Sequence, residues 1–279
     1  MLRFKLYLFF FIIVIIFSGI FLFSCENNSQ EKVYLATTTS VYDSGLLDEL
    51  IDAFKEESDY IILPIAVGSG EAITMGEKGI VDVILVHSPE AEAKFMAEGY
   101  GIDRKDVMYN YFVIIGPQND PADIKDLSAR DAFKAIYEKK SLFITRGDNS
   151  GTHKKEMFIW GKAGIIPQGN WYFESGQGMG ETLEIANEKQ AYTLTDKGTF
   201  LALRDHLSLL TLVEGDKVLL NSYGIILVNP EKHKDVNINY KGAKVFADFV
   251  TGRKGQEIIS KFGIEEFGEP LFYLYSNLK

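Results

Sequence analysis

The chain is expected to be an α/β protein in which two lobes, each a mostly parallel sheet flanked by helices, are joined by two crossover segments. Three observations predict this. Short apolar runs at residues 33–36, 61–67 and 81–86 alternate with segments of helical spacing, the pattern of βαβ units. The alternation stops around Gly116-Pro117 and Pro121, where the chain is steered away from helix, and begins again from Ile124. Two longer apolar runs, 107–116 and 219–228, are bounded by turn-prone residues and read as the crossings between lobes.

Each element has a local reason. Residues 33–36 open lobe 1 as a strand. Asp43-Ser44-Gly45 then offers a helix cap, and Leu46, Leu47, Leu50, Ile51 and Phe54 place apolar side chains along one helical face. The run 61–67 is the second strand, 72–78 a short helix, 81–86 the third strand and 90–98 the helix after it. Beyond the first crossing, helices are predicted over 129–138, 150–162 and 181–188, with strands at 142–145 and 191–194. After the second crossing, helices at 243–251 and 256–262 return to lobe 1 and make it discontinuous. The expected division is 33–115 plus 225–279 for lobe 1 and 116–224 for lobe 2, with a single large domain as the alternative.

Residues 1–24 do not belong to this fold. Arg3 and Lys5 precede an uncharged apolar run from Leu6 to Phe23, the form of an export signal or a membrane anchor. The run exceeds the roughly 7–15 residues of a signal core, so length alone does not choose between them. Cys25, the single cysteine, follows directly, and polar, linker-like Glu26-Asn27-Asn28-Ser29-Gln30 comes next. This arrangement resembles a bacterial lipoprotein signal. The resemblance implies a signal peptide over 1–24, lipidation of Cys25 ahead of a linker over 25–32, and a body anchored outside the cytoplasmic membrane. An uncleaved anchor is the alternative.

The formal net charge is −10, and losing Arg3 and Lys5 with the leader makes it −12. No basic stripe remains for nucleic-acid phosphates, which excludes that class of partner. An acidic body does not exclude a small anion. Exposed charges are screened beyond about 8 Å, whereas donors in a dry cleft act at hydrogen-bond range. With one cysteine there is no internal disulfide.

Three strand-to-helix junctions carry the candidate chemistry. Such junctions collect unpaired N–H groups, and the helix dipole favours a negative ligand. Thr38, Thr39 and Ser40 supply hydroxyls and amides after the first strand. Ser69 and Gly70 supply a hydroxyl and a closely approachable backbone after the second. Ser150, Gly151 and Thr152 do the same in lobe 2, with Arg146 as the full positive charge of the set, and Thr193 is expected to reach the crevice from the strand at 191–194. These groups donate and none must lose a proton, so the implied ligand is a compact anion surrounded by donors.

Catalytic readings are weaker. In Gly147-Asp148-Asn149-Ser150-Gly151 the middle position is Asn149, where a nucleophile elbow needs serine. His87, His153, His206 and His233 are scattered without metal-ligand spacing. Gly176-Gln177-Gly178-Met179-Gly180 falls short of the dinucleotide fingerprint. The chain is therefore read as a binding protein without cofactor, an extracytoplasmic hydrolase being the rival.

Ala-Thr-Thr-Thr-Ser at 36–40, Ala-Val-Gly-Ser-Gly-Glu-Ala at 66–72, Val-Asp-Val-Ile-Leu-Val-His-Ser-Pro at 81–89, Val-Met-Tyr-Asn-Tyr-Phe-Val-Ile-Ile-Gly-Pro at 107–117 and Arg-Gly-Asp-Asn-Ser-Gly-Thr-His at 146–153 resemble the tungstate-binding lipoproteins of bacterial ABC transporters. The resemblance runs from about Val33 to the region of Tyr273. It implies a periplasmic-binding-protein type II fold with an oxyanion closed between the lobes. It also implies ligand roles for Thr38, Thr39, Ser40, Ser69, Arg146 and Thr152, and an ABC permease as partner of a monomer. Tungstate is the implied cargo; molybdate, phosphate and sulfate are carried by the wider superfamily. Phosphate near neutral pH carries a proton and gains from a buried acceptor, whereas tungstate and molybdate want donors alone. The acceptors near the loops are Glu71 and Asp148. No residue separates tungstate from molybdate.

Overall fold

In the computed structural model, residues 30–148 and 150–275 are described. The apolar segment read as a signal peptide and Cys25 lie outside the described residues. Strand β1 (Lys32–Thr38) pairs in parallel with β2 (Ile61–Val67) and β3 (Val83–Val86). Helices α1 (Thr39–Asp43), α2 (Leu46–Lys55) and α3 (Ser69–Glu77) connect them, and α4 (Pro89–Ala97) follows β3. The long β4 (Gly101–Gly116) leads into lobe 2, formed by α5 (Ala129–Lys139), β5 (Phe143–Thr145), α6 (Gly151–Lys162), β6 (Tyr172–Glu174), α7 (Met179–Glu188), β7 (Thr193–Asp196), α8 (Lys197–Leu203) and β8 (Leu210–Val213). Strand β9 (Leu220–Val228) returns, and α9 (Tyr240–Thr251), α10 (Arg253–Lys261) and α11 (Ile264–Phe267) follow.

The strand order is β2-β1-β3-β9-β4-β7, with β8 also on β4, and β5 and β6 form a separate parallel pair. Parallel ladders are thus confined to β2-β1-β3 and β5-β6. The crossovers β4 and β9 run antiparallel to each other and to their other partners, because the chain leaves lobe 1 along one and returns along the other.

Helices cover both faces of each lobe. In lobe 1, Leu46, Leu50 and Phe54 of α2 pack with Phe246, Val250 and Ile259 under Val33 and Leu35, while Ala72, Ile73 and Phe95 cover Ile84 and Val86 on the other face. In lobe 2, Phe133, Ile136 and Trp160 pack on Phe143, and Leu183, Ala186 and Phe200 on Val113 and Ile144. Met108 and Tyr223 belong to a lobe 1 core, but Phe112 and Leu219 to a lobe 2 core. The change of core therefore falls between Met108 and Phe112 on the first crossover and between Leu219 and Tyr223 on the second. At that point Asn110 and Asn221 stand opposite each other in the ladder, both buried, and Asn221 Nδ2 donates to Asn110 Oδ1 at 2.8 Å.

The strand read at 191–194 begins two residues later and runs to Asp196, whose carboxylate caps α8 by accepting from the Thr199 amide at 2.8 Å. Strands β6 and β8 are three and four residues long and only partly covered, too short for a period-two pattern to stand out in the sequence.

Candidate functional site

The C-terminal ends of parallel strands lie on one edge of a sheet, so β1, β2 and β3 deliver their following helices α1, α3 and α4 to the same side of lobe 1. Thr38 ends β1 in extended conformation and is buried, and Thr39 is exposed at the start of α1. Thr38 Oγ1 lies 3.1 Å from Ser40 Oγ, which lies 3.3 Å from Tyr223 Oη. Asn221 Nδ2 donates to Tyr223 Oη at 3.0 Å. This chain has a direction. Because Tyr223 Oη accepts from an amide, its own proton is available to Ser40, and with one proton spent between Ser40 and Thr38 the other is left to donate outward. Burial raises the Tyr223 phenol above its ordinary value, which keeps it a donor.

Ser69 is the first residue of α3, and no side chain caps that helix. Its Oγ accepts a long contact from the His87 amide at 3.5 Å, leaving its proton free.

In lobe 2, Arg146 follows β5, and Gly147 turns the chain with φ +69°, a left-handed conformation that glycine adopts without strain. Arg146 Nη2 donates to Asp148 Oδ2, and Asp148 Oδ1 accepts from the Ser150 amide at 3.1 Å. Loss of hydration would raise the Asp148 carboxyl, but the hydrogen bonds from Ser150 and the Arg146 guanidinium outweigh it and hold it below its ordinary value. Arg146 Nε is buried and has no partner among the described residues, although a guanidinium N–H is a strong donor. Ser150 Oγ caps α6 by accepting from the His153 amide at 3.3 Å, and Thr152 is buried one residue inside that helix. The β6–α7 loop braces the arginine, since the Gly176 amide donates to the Arg146 carbonyl at 3.0 Å.

The two halves meet at His87. A Cβ added to Gly151 would lie 2.6 Å from His87 Cε1, so the imidazole at the end of β3 rests directly on the start of α6. The His87 ring also lies 5.0 Å from that of Tyr223, and Lys154 Nζ comes within 4.0 Å of a Cβ position on Gly70. Thr38, Ser40 and Ser69 from lobe 1 are thereby brought to the loop holding Arg146, Ser150, Gly151 and Thr152. Loss of hydration lowers the His87 pKa to about 4, with Lys155 and Lys154 adding to the effect against Asn221, so the ring is neutral at physiological pH.

Thr193 does not join this group. Its Oγ1 donates to the Ile144 carbonyl at 2.7 Å inside lobe 2, which leaves no proton for a ligand. Glu71 is exposed in the first turn of α3. Nor does Arg146 stand as the sole full charge, because α6 also carries Lys155, whose Nζ donates to the Val218 and Leu220 carbonyls. Sequence reasoning passed over His87 as one of several scattered histidines. Its place directly after β3 is the same signal that singled out Ser69 after β2. Asn110, Asn221 and Tyr223 had no signal, being members of long apolar strands.

Helix α6 also buries a carboxyl. Glu156 is 2% exposed and accepts from Trp160 Nε1 at 3.0 Å and Tyr172 Oη at 2.7 Å. Burial raises it from 4.5 to about 7. Between those values the folded chain keeps a proton that the unfolded chain has released, so stability falls as pH rises through that window. Glu156→Gln keeps both acceptor bonds and removes the charge. It is expected to stabilise the protein by about 2–3 kcal/mol above pH 8 and by little at pH 4. Urea unfolding at the two pH values checks this, and equal effects at both would refute the assignment.

Two α/β lobes whose donor-rich strand ends face each other beside a pair of crossover strands define a binding protein of the periplasmic type. Residues 26–254 match the PBP superfamily domain. The tungstate-binding protein TupA of Peptoclostridium acidaminophilum is 47% identical over 250 residues, covering 88% of this chain and 87% of that one. Among solved structures, that of the tungstate ABC transporter from Geobacter sulfurreducens shares 48% identity with a TM-score of 0.74, over 84% of this chain and 100% of that one. The tungstate-binding protein TupA from Desulfovibrio alaskensis G20 shares 39% identity with a TM-score of 0.79, over 87% and 98%. The chain belongs to this family of tungstate-binding proteins within the PBP superfamily. Its role is that of a substrate-binding component of a transporter and not of an enzyme.

Proposed function

We propose that this protein captures tungstate in the cleft between its lobes and delivers it to the permease of an ABC transporter. The observation that carries this reading is the donor-only character of the cleft. Thr38, Ser40, Ser69 and the start of α6 offer donors, Arg146 Nε is buried without a partner among the described residues, and both Asp148 oxygens are already engaged. An unprotonated dianion needs donors on every side, whereas hydrogenphosphate also needs a free acceptor. The kinship with tungstate-binding relatives supports tungstate among the tetrahedral dianions. Molybdate, nearly the same tetrahedron, is the second reading.

In this mechanism the anion first binds one lobe, and closure about the Asn110–Asn221 pair brings the other lobe's donors onto it. Nanomolar affinity is about −12 kcal/mol, and a charge-assisted hydrogen bond contributes roughly 1.5–3 net, so six or seven donors in a preorganised cleft suffice. No cofactor takes part, since capture involves no bond making. The protein acts as a monomer outside the cytoplasmic membrane, held to it by lipid on Cys25; the position of that cysteine directly after the apolar run supports the anchor. Calorimetric titration with tungstate, molybdate, sulfate and phosphate is expected to give tight binding of tungstate and weak or no binding of phosphate. Equal response to all four would overturn the selectivity, and no response would overturn the function.

A further inference from the structure

Lys155 is a cation of this region without a carboxylate. It lies on α6 three residues after Thr152, hence on the same helix face. Its Nζ donates to the Val218 and Leu220 carbonyls at 3.1 and 2.9 Å, where the second crossover begins, and sits 5.7 Å from the Phe112 ring centroid. Among the described residues no acid pairs with it, and burial lowers its pKa. Arg146, by contrast, is paired with Asp148, and together they carry no net charge. Lys154 is exposed and screened by salt. A half-buried ammonium whose described partners are carbonyls gains when an opposite charge arrives nearby. With Lys154, it adds to the lowering of the His87 pKa at the meeting point of the lobes, burial being the larger cause.

We infer that Lys155 sets the charge selectivity of the cleft: its half-buried ammonium favours a dianionic tetrahedral oxyanion over a monoanionic one of similar size, acting through space and not by contact. The inference rests on the oxyanion-binding function proposed above. Hydrogen-bond donors recognise oxygens and shape, and both kinds of anion present the same four oxygens. A fixed charge in a poorly hydrated place responds to the extra unit of ligand charge itself.

Tungstate and perrhenate are the probes, tetrahedral oxyanions bearing two and one negative charges. Lys155→Gln in the full chain removes the charge and leaves an amide donor one bond shorter at the same position on α6. It is expected to lower the ratio of tungstate to perrhenate affinity on the order of tenfold, and Lys155→Arg to retain the ratio. A fall in both affinities with the ratio unchanged would make Lys155 a structural clasp and overturn the inference. In the wild-type protein the ratio should also hold across roughly a tenfold range of salt, since partly buried charges are screened less than exposed ones, and its collapse would assign the discrimination to exposed charges. Absence of tungstate binding by the wild type would instead overturn the functional reading itself.

Discussion

Arg146→Ala is expected to weaken tungstate binding by about 4–5 kcal/mol, more than any single hydroxyl in the cleft contributes. Three effects add. The guanidinium charge is lost, the buried Nε donor disappears, and Asp148, now without its partner, faces the incoming anion. The Ser150 amide still holds one Asp148 oxygen, so the carboxylate stays near the start of α6 and repels the ligand. Arg146→Lys should recover only part of the loss, because an ammonium replaces the charge but not the planar fork of donors. Calorimetry on the folded variants is the measurement. Near-normal binding by the alanine variant would remove Arg146 from the site.

Gly151→Ala is expected to cost about 3 kcal/mol in affinity without unfolding either lobe. The backbone at this helix start tolerates alanine, but its Cβ would stand 2.6 Å from His87 Cε1. Restoring an ordinary contact moves the two apart by about 1 Å, enough to take hydrogen bonds across the cleft out of range. His87 has little room to yield, packed as it is against Tyr223. The double variant Gly151→Ala with His87→Ala should therefore bind more tightly than Gly151→Ala alone. If His87→Ala fails to rescue, the defect lies in α6 and not in closure.

How much of this was legible in advance depends on the range of the interactions involved. The helix over Leu46–Lys55 announced itself through five buried apolar residues at helical spacing. Strand β2 has the limits 61–67 read from its apolar run. Thr193 shows where local reading fails. A threonine in a strand next to a predicted crevice looks like a ligand donor, but its hydroxyl is claimed by the Ile144 carbonyl, a partner that exists only once β5 and β7 lie side by side. His87 shows the converse, a residue at a strand end whose neighbour across the cleft is distant in the chain.

The sequence by itself determined the alternation of strands and helices, the junctions rich in small donors and the presence of Arg146 at one of them, since periodicity, capping and turn chemistry act within a few residues. Tertiary structure alone decided which groups stand behind those donors. The ladder sets Asn221 against Asn110, 111 residues away, and the packing of the same strand sets Tyr223 against Ser40, 183 residues away, which together orient the Ser40 and Thr38 hydroxyls. The same crossover supplies the carbonyls that hold Lys155. Such contacts depend on register between distant strands and on burial of a charge, and neither is encoded in any local pattern.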